Sequence, residues 1–99
     1  RGAYATSKAG LNGLTKVVAK EGGPHNVCCN CVCPGWTDSR MINHLVDEAK
    51  YQRLSGMAAL RRPATQQEAA WPVVFYLSDL ASYVNGTVSA VDGGLVYDG

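Results

Sequence analysis

Between Gly23-Pro24 and Pro34-Gly35 lies a short run, Val27 to Cys33, that is apolar at every position except Asn30. A strand with one wet face alternates polar and apolar residues. A run that is apolar on both faces suits a strand covered on both sides, as in the parallel sheet of an α/β fold. The breakers on either side bound its length. No other stretch of the chain restricts the fold so closely.

Four of the seven residues in that run are cysteines. On a strand, Cys29, Cys31 and Cys33 share one face, and Cys28 shares the other with Asn30 and Val32. Neighbours on one face stand about 6.6 Å apart along the strand. Tetrahedral zinc needs sulfurs converging at about 2.3 Å from one ion, which a straight strand does not offer. Bridges within the run would close only tiny loops, and no cysteine elsewhere offers a partner. The cysteines are therefore expected to be small hydrophobes filling a sheet core in a reducing, cytoplasmic setting, with no metal. A thiolate metal module and a reactive thiol are the alternatives.

The flanking segments supply helices. From Tyr4 to Lys20, Leu11, Leu14, Val17 and Val18 recur at helical spacing, and Gly22-Gly23-Pro24 stops the helix. Ala5, Ala9 and Gly13 form a small-residue row that suits close approach of another backbone. After Trp36, Asp38 or Ser39 is placed to cap a helix with the stripe Met41, Ile42, Leu45, Val46 and Ala49. Gly56 and Arg61-Arg62-Pro63 interrupt it, the two arginines reading as solvated loop charges. Thr65 and Glu68 form a capping box that opens another helix, in which Trp71 and Phe75 read as packing residues and Pro72 removes one backbone hydrogen bond. Asn85-Gly86 marks a turn, Thr87 to Val91 a second strand, and Asp92-Gly93-Gly94 a closing turn.

The order is helix, strand, helical excursion, helix, strand, which contains a βαβ unit. Two strands leave edges and faces uncovered. Residues 1–99 are accordingly expected to be the C-terminal part of a single larger domain. The net charge of +1 comes from interspersed acids and bases, with no basic block that would favour nucleic acid or an anionic membrane. No apolar run is long enough to span a bilayer.

Chemistry enters at Tyr4-Ala5-Thr6-Ser7-Lys8. Residues four apart share a helix face. A nearby ammonium lowers the pKa of a phenol, whose reference value is about 10. A phenol tuned in this way can give a proton to a carbonyl oxygen or take one from an alcohol. The spacing alone recurs by chance in many proteins. Three linked segments make it specific: YATSKAGLNGLTKVVAKE, NVCCNCVCPGWTDSRM and YLSDLASYVNGTVSAVDGG. Together they resemble the C-terminal part of a short-chain dehydrogenase/reductase, across nearly the whole chain.

The resemblance implies a Rossmann-type doubly wound parallel sheet, NAD or NADP as cofactor, and interconversion of a small alcohol and a ketone. It implies that Tyr4 is the catalytic acid/base, and that Lys8 lowers its pKa and holds the nicotinamide ribose. Pro34 and Gly35 fall at the carboxyl end of a strand, where open α/β sheets bind cofactors. There the resemblance implies that the Thr37 backbone meets the nicotinamide carboxamide and that Ser39 assists. Asn30 matches a structural asparagine of the family. The 36–59 excursion matches a substrate lid, with Trp36, Met41 and Leu45 as lining candidates and His44 a lesser one. Relatives of this type form homodimers or homotetramers, often through the helix bearing the Tyr/Lys pair. The family's glycine-rich phosphate loop, catalytic serine and active-site asparagine are expected upstream of Arg1. The competing reading is a catalytically inert piece that acts at most in association.

Overall fold

A computed structural model describes residues 2–38 and 47–95; the side chain of Tyr4 and residues 39–46 lie outside the described set. The elements are α1 (Gly2–Gly22), β1 (Cys31–Pro34), α2 (Glu48–Ser55), α3 (Gln66–Leu77) and β2 (Val88–Val91), with 3-10 turns at Gly23–His25 and Asp79–Ala81. β1 and β2 pair as a two-stranded parallel sheet. The Cys31 N–H donates to Thr87 O at 2.9 Å, and the Gly35 N–H donates to Val91 O at 3.0 Å. Both bonds keep one sequence offset, as parallel strands require. The chain forms two compact units, one of Arg1–Val32 with Val74–Ser89, the other of Cys33–Val73 with Ala90–Gly99.

In the first unit, α1 stops where the sequence places a stop. Asn26 takes a left-handed φ of 59°, its N–H donates to Gly23 O at 2.9 Å, and the Val27 N–H donates to Gly22 O at 3.0 Å. A Cβ on Gly22 would meet the Val27 Cβ at 3.1 Å, so the return of the chain favours glycine there.

The packed face of α1 is not its apolar stripe. Thr15 and Ala19 are buried, while Leu11, Leu14, Val17 and Val18 are exposed. The reason lies in the turn at Asn85-Gly86. Asn85 donates from Nδ2 to Ala19 O at 3.0 Å and accepts the Cys29 N–H on Oδ1 at 2.9 Å. The Gly86 N–H donates to Cys29 O at 2.8 Å, and the Lys16 ammonium donates to Gly86 O. Gly86 has φ 80°, and a Cβ there would stand 3.3 Å from the Ala19 Cβ. Small and polar residues of α1 thus take the face that the turn needs. The apolar stripe meets no element among the described residues of this unit.

The strand is also shorter than the apolar run suggests. It begins at Cys31; Val27 to Asn30 lie outside the ladder, held by the Asn85 side chain and by Asn30 itself. Asn30 accepts the Thr87 N–H at 3.0 Å and the Thr87 hydroxyl at 2.8 Å, and donates to Val84 O at 3.1 Å. It thereby serves the structural role expected of it. Core filling holds for Cys31, which is 7% exposed, whereas Cys29 and Cys33 are half-buried and Cys28 is exposed. No disulfide joins the four cysteines.

In the second unit, α2 starts at an N-cap that the sequence reading passed over. The Asp47 carboxylate accepts the Lys50 N–H at 2.7 Å. α3 opens on the capping box as expected: Thr65 Oγ1 accepts the Glu68 N–H and Glu68 Oε1 accepts the Thr65 N–H, both at 3.0 Å. Pro72 lies within α3, which runs on to Leu77. Trp71 is 63% exposed and Phe75 42%, so neither is a core residue of this chain. Their apolar surface, like that of Leu11 and Leu14, is uncovered by the elements described.

At Gly13, in the small-residue row of α1, an added Cβ would find no atom within 4 Å. Gly13→Ala is therefore expected to stabilise the 99-residue chain by about 0.5–1 kcal/mol, through helix propensity alone. Urea denaturation followed by circular dichroism measures this. A loss of stability would show that the row packs closely.

Candidate functional site

Position 4 heads a row of α1 that continues through Lys8, Asn12, Thr15 and Ala19. Thr15 and Ala19 are buried, Asn12 and Lys8 are half-buried, and Thr15 Oγ1 donates to Leu11 O at 2.8 Å. Asn12 Oδ1 stands 3.9 Å from Cys31 Sγ. The row of Lys8, Asn12, Thr15 and Ala19 is therefore the packed side of the helix, not its solvated side. The Tyr4 side chain itself lies outside the described residues, as does Ser39, and with them Met41, His44 and Leu45.

Pro34, Gly35 and Thr37 belong to the second unit. Pro34 ends β1 and Gly35 follows it. A Cβ on Gly35 would sit 2.8 Å from the Asp92 Cβ and 2.9 Å from its Cα. Only glycine lets the chain leave β1 this close to the end of β2. Two residues on, Thr37 forms a parallel bridge with Ala64. The Ala64 N–H donates to Trp36 O at 3.0 Å, and Ala64 O accepts the Asp38 N–H at 2.8 Å. Both bonds go to the neighbours of Thr37, so its own N–H and C=O face the opposite side. The strand end thus presents an oriented backbone donor and acceptor, the pair a carboxamide needs.

Trp36 meets Tyr51 of α2 edge to face, with ring centroids 5.2 Å apart. This fixes α2 near the end of β1. The closing turn is built by Asp92, whose Oδ1 accepts the N–H groups of Gly94 at 3.0 Å and Leu95 at 3.2 Å. Gly93 and Gly94 have φ of 63° and 74°, as an Asp-Gly-Gly turn requires.

Arg62 departs from the solvated-charge reading. Its Nη1 and Nη2 donate to Glu68 Oε1 and Oε2 at 2.6 and 2.9 Å, a bidentate pair. The spacing of a basic residue six before the capping-box glutamate was the available signal. The Arg62 hydrogen bond, helped by the Thr65 N–H, holds the Glu68 carboxyl down at about 2, and the same pairing raises Arg62. Arg61 keeps to the solvent side, with a left-handed φ of 59° and Nη1 donating to Gly56 O at 2.8 Å.

A second network was not anticipated. The Tyr76 hydroxyl pairs with Ser89 Oγ, and hydrogen bonds from Ser89 and Thr87 lower its pKa. These residues tie α3 to β2 within the first unit. Among the described residues no group of three or more His, Cys, Asp or Glu side chains is placed to hold a metal, and no helix is long and apolar enough to cross a membrane.

These features belong together in one kind of protein. The chain is a member of the short-chain dehydrogenase/reductase family: residues 1–96 match a family model described as enoyl-(acyl carrier protein) reductase. It is 40% identical over 92 residues to the 3-oxoacyl-(acyl-carrier-protein) reductase FabG of Chlamydia muridarum, covering 93% of this chain and 37% of that protein. It is 35% identical over 92 residues to the acetoacetyl-CoA reductase of an Acinetobacter species, again covering 93% of this chain and 37% of the relative. A solved structure of a short chain dehydrogenase family protein from Francisella tularensis superposes with a TM-score of 0.80 at 28% identity, covering 92% of this chain and 42% of that one. The chain thus spans well under half the length of the relatives it matches.

Two outcomes follow. Because the folded pKa of Glu68 is depressed, the unfolded chain binds its proton first as pH falls. Stability from this group is complete above about pH 4.5 and is lost as pH falls towards about 2. Glu68→Gln is expected to flatten that acid limb in pH-dependent urea melts, and an unchanged limb would remove the pair from the account. Gly35→Ala is expected to cost about 1–3 kcal/mol by forcing β1 and β2 apart, read as a lowered denaturation midpoint.

Proposed function

We propose that this chain is the proton-transfer and nicotinamide-side portion of an NAD(P)-dependent oxidoreductase that interconverts an alcohol and a carbonyl compound. The observation that carries the reading is the Tyr4/Lys8 spacing, one turn apart on α1, within a family match spanning residues 1–96. In this reading Tyr4 donates its hydroxyl proton to the carbonyl oxygen during reduction and recovers it from the alcohol during oxidation. Lys8 acts through charge: its ammonium favours the phenolate and brings the Tyr4 pKa towards neutrality. The same ammonium is a donor suited to ribose hydroxyls.

The backbone of Thr37 supports a nicotinamide at the end of β1, because its N–H and C=O face away from Ala64. Pro34 and Gly35 set the direction in which the chain leaves the strand, and Ser39 would add a hydroxyl. When bound, the nicotinamide supplies or accepts the hydride. The chain's own residues orient the carboxamide, hold the ribose and move the proton. The substrate is a small alcohol or ketone, and the likeness to a 3-oxoacyl-(acyl-carrier-protein) reductase and an acetoacetyl-CoA reductase makes a β-ketoacyl group the first class to test. A homodimer or homotetramer in the cytoplasm is the assembly proposed, with the exposed Leu11, Leu14 and Val18 and the open Ala5/Ala9/Gly13 row offering contact surface.

The inert-piece reading draws on the exposed apolar faces and the 37% coverage of the relatives. One experiment separates the two. In the full-length protein bearing these residues, Tyr4→Phe is expected to lower kcat by at least about 100-fold with nucleotide affinity retained. Lys8→Gln is expected to weaken nucleotide binding and move the alkaline limb of the pH–rate profile upward. Unchanged turnover in Tyr4→Phe, against a panel of ketones and alcohols, would reject the catalytic role.

A further inference from the structure

The second unit holds a pocket of about 140 Å³, partly open to solvent, whose described lining includes the apolar side chains of Trp36, Leu54, Ala58, Leu60, Val91 and Leu95. Its frame is hydrogen-bonded on several sides. The Ala59 N–H donates to Gly94 O at 2.7 Å and the Leu60 N–H to Gly93 O at 3.0 Å, while Ala64 is tied to Trp36 and Asp38. The Trp36–Tyr51 contact braces the α2 side.

The charged groups at its edge are already spoken for. Both Glu68 oxygens accept from Arg62, and Glu68 Oε1 also accepts the Thr65 N–H. Asp92 Oδ1 accepts two backbone amides. Among the described residues the wall therefore shows no uncompensated carboxylate that would favour a cation, and the Arg62 guanidinium is held in a bidentate pair. Water gains little in such a space, because it needs two to four polar partners. A void of this size also forfeits dispersion contacts around its whole lining. Larger side chains at Ala58 or Ala64, both of which line it, would close it, yet both positions hold alanine.

We propose that this cavity is a binding site for a small, uncharged apolar group of about six carbons, a phenyl ring or a short branched alkyl chain. The volume matches that class, since dry cavities of about 150 Å³ accept benzene. Recognition is by shape and exclusion of water, with Trp36 offering an aromatic wall.

The test titrates benzene into the full chain, with sodium benzoate at equal concentration as the charged control. Saturable methyl shifts are expected at Leu54, Leu60 and Val91, with a raised unfolding midpoint; benzoate is expected to give neither. Ala64→Leu is expected to abolish the saturable shifts while the rest of the spectrum stays native. Should that variant fail to fold, Ala58→Val fills the same space from the other side and is expected to weaken benzene at least tenfold. Shifts that stay linear to the solubility limit, an equal response to benzoate, undiminished binding in a folded filling variant, or contacts from the protein's own side chains already occupying the space would each overturn the proposal.

Discussion

Two parallel strands of four residues have too few ladder bonds and too little covered surface to persist alone. Their pairing is completed by side chains and close approaches at either end. In the first unit Asn30 turns its amide on the chain entering β2, accepting two donors from Thr87 and giving one to Val84. In the second, Gly35 lets the exit of β1 come within van der Waals contact of Asp92. Asp92 in turn shapes the turn that follows β2. The other features discussed, the orientation of Thr37, the placing of α2 through Trp36 and the apolar cavity, lie just beyond this second closure.

The same economy appears in the electrostatics. Glu68 caps α3 through Thr65 and clamps Arg62, so one carboxylate serves a helix end and a loop together. The pairing stands partly in solvent, with the two side chains 50% and 43% exposed, so screening by water and salt limits its worth. Its value is geometric: it fixes the path of the loop that carries Ala64, and Ala64 is the residue that turns the Thr37 backbone outward.

Much of this was legible in the chain. The stop at Gly22-Gly23-Pro24, the capping box, the turns at Asn85-Gly86 and Asp92-Gly93-Gly94, and the structural role of Asn30 all fall where their residue types demand. Local chemistry decides such features: a left-handed φ favours glycine or asparagine, and an orphan amide calls for a nearby oxygen. The readings that failed concern partners. Leu11, Leu14, Val17 and Val18 have helical periodicity, but the buried face is that of Thr15 and Ala19. Trp71 and Phe75 are large and aromatic, yet lie exposed. The four cysteines are equally apolar in composition, and only Cys31 is buried.

The amino-acid sequence by itself determined the element order, the helix and turn boundaries set by glycine, proline and capping residues, and the family, whose linked segments include Tyr4 and Lys8. These depend on neighbours within a few positions, or on identities that need no coordinates. Only the tertiary structure decided that Gly35 exists for Asp92, that Arg62 belongs to Glu68, that Thr37 presents its backbone away from Ala64, and that Trp36, Leu54 and Val91 line one apolar pocket. Each of those joins residues whose distance is set by how the chain returns on itself, and periodicity carries no record of which face that return will cover.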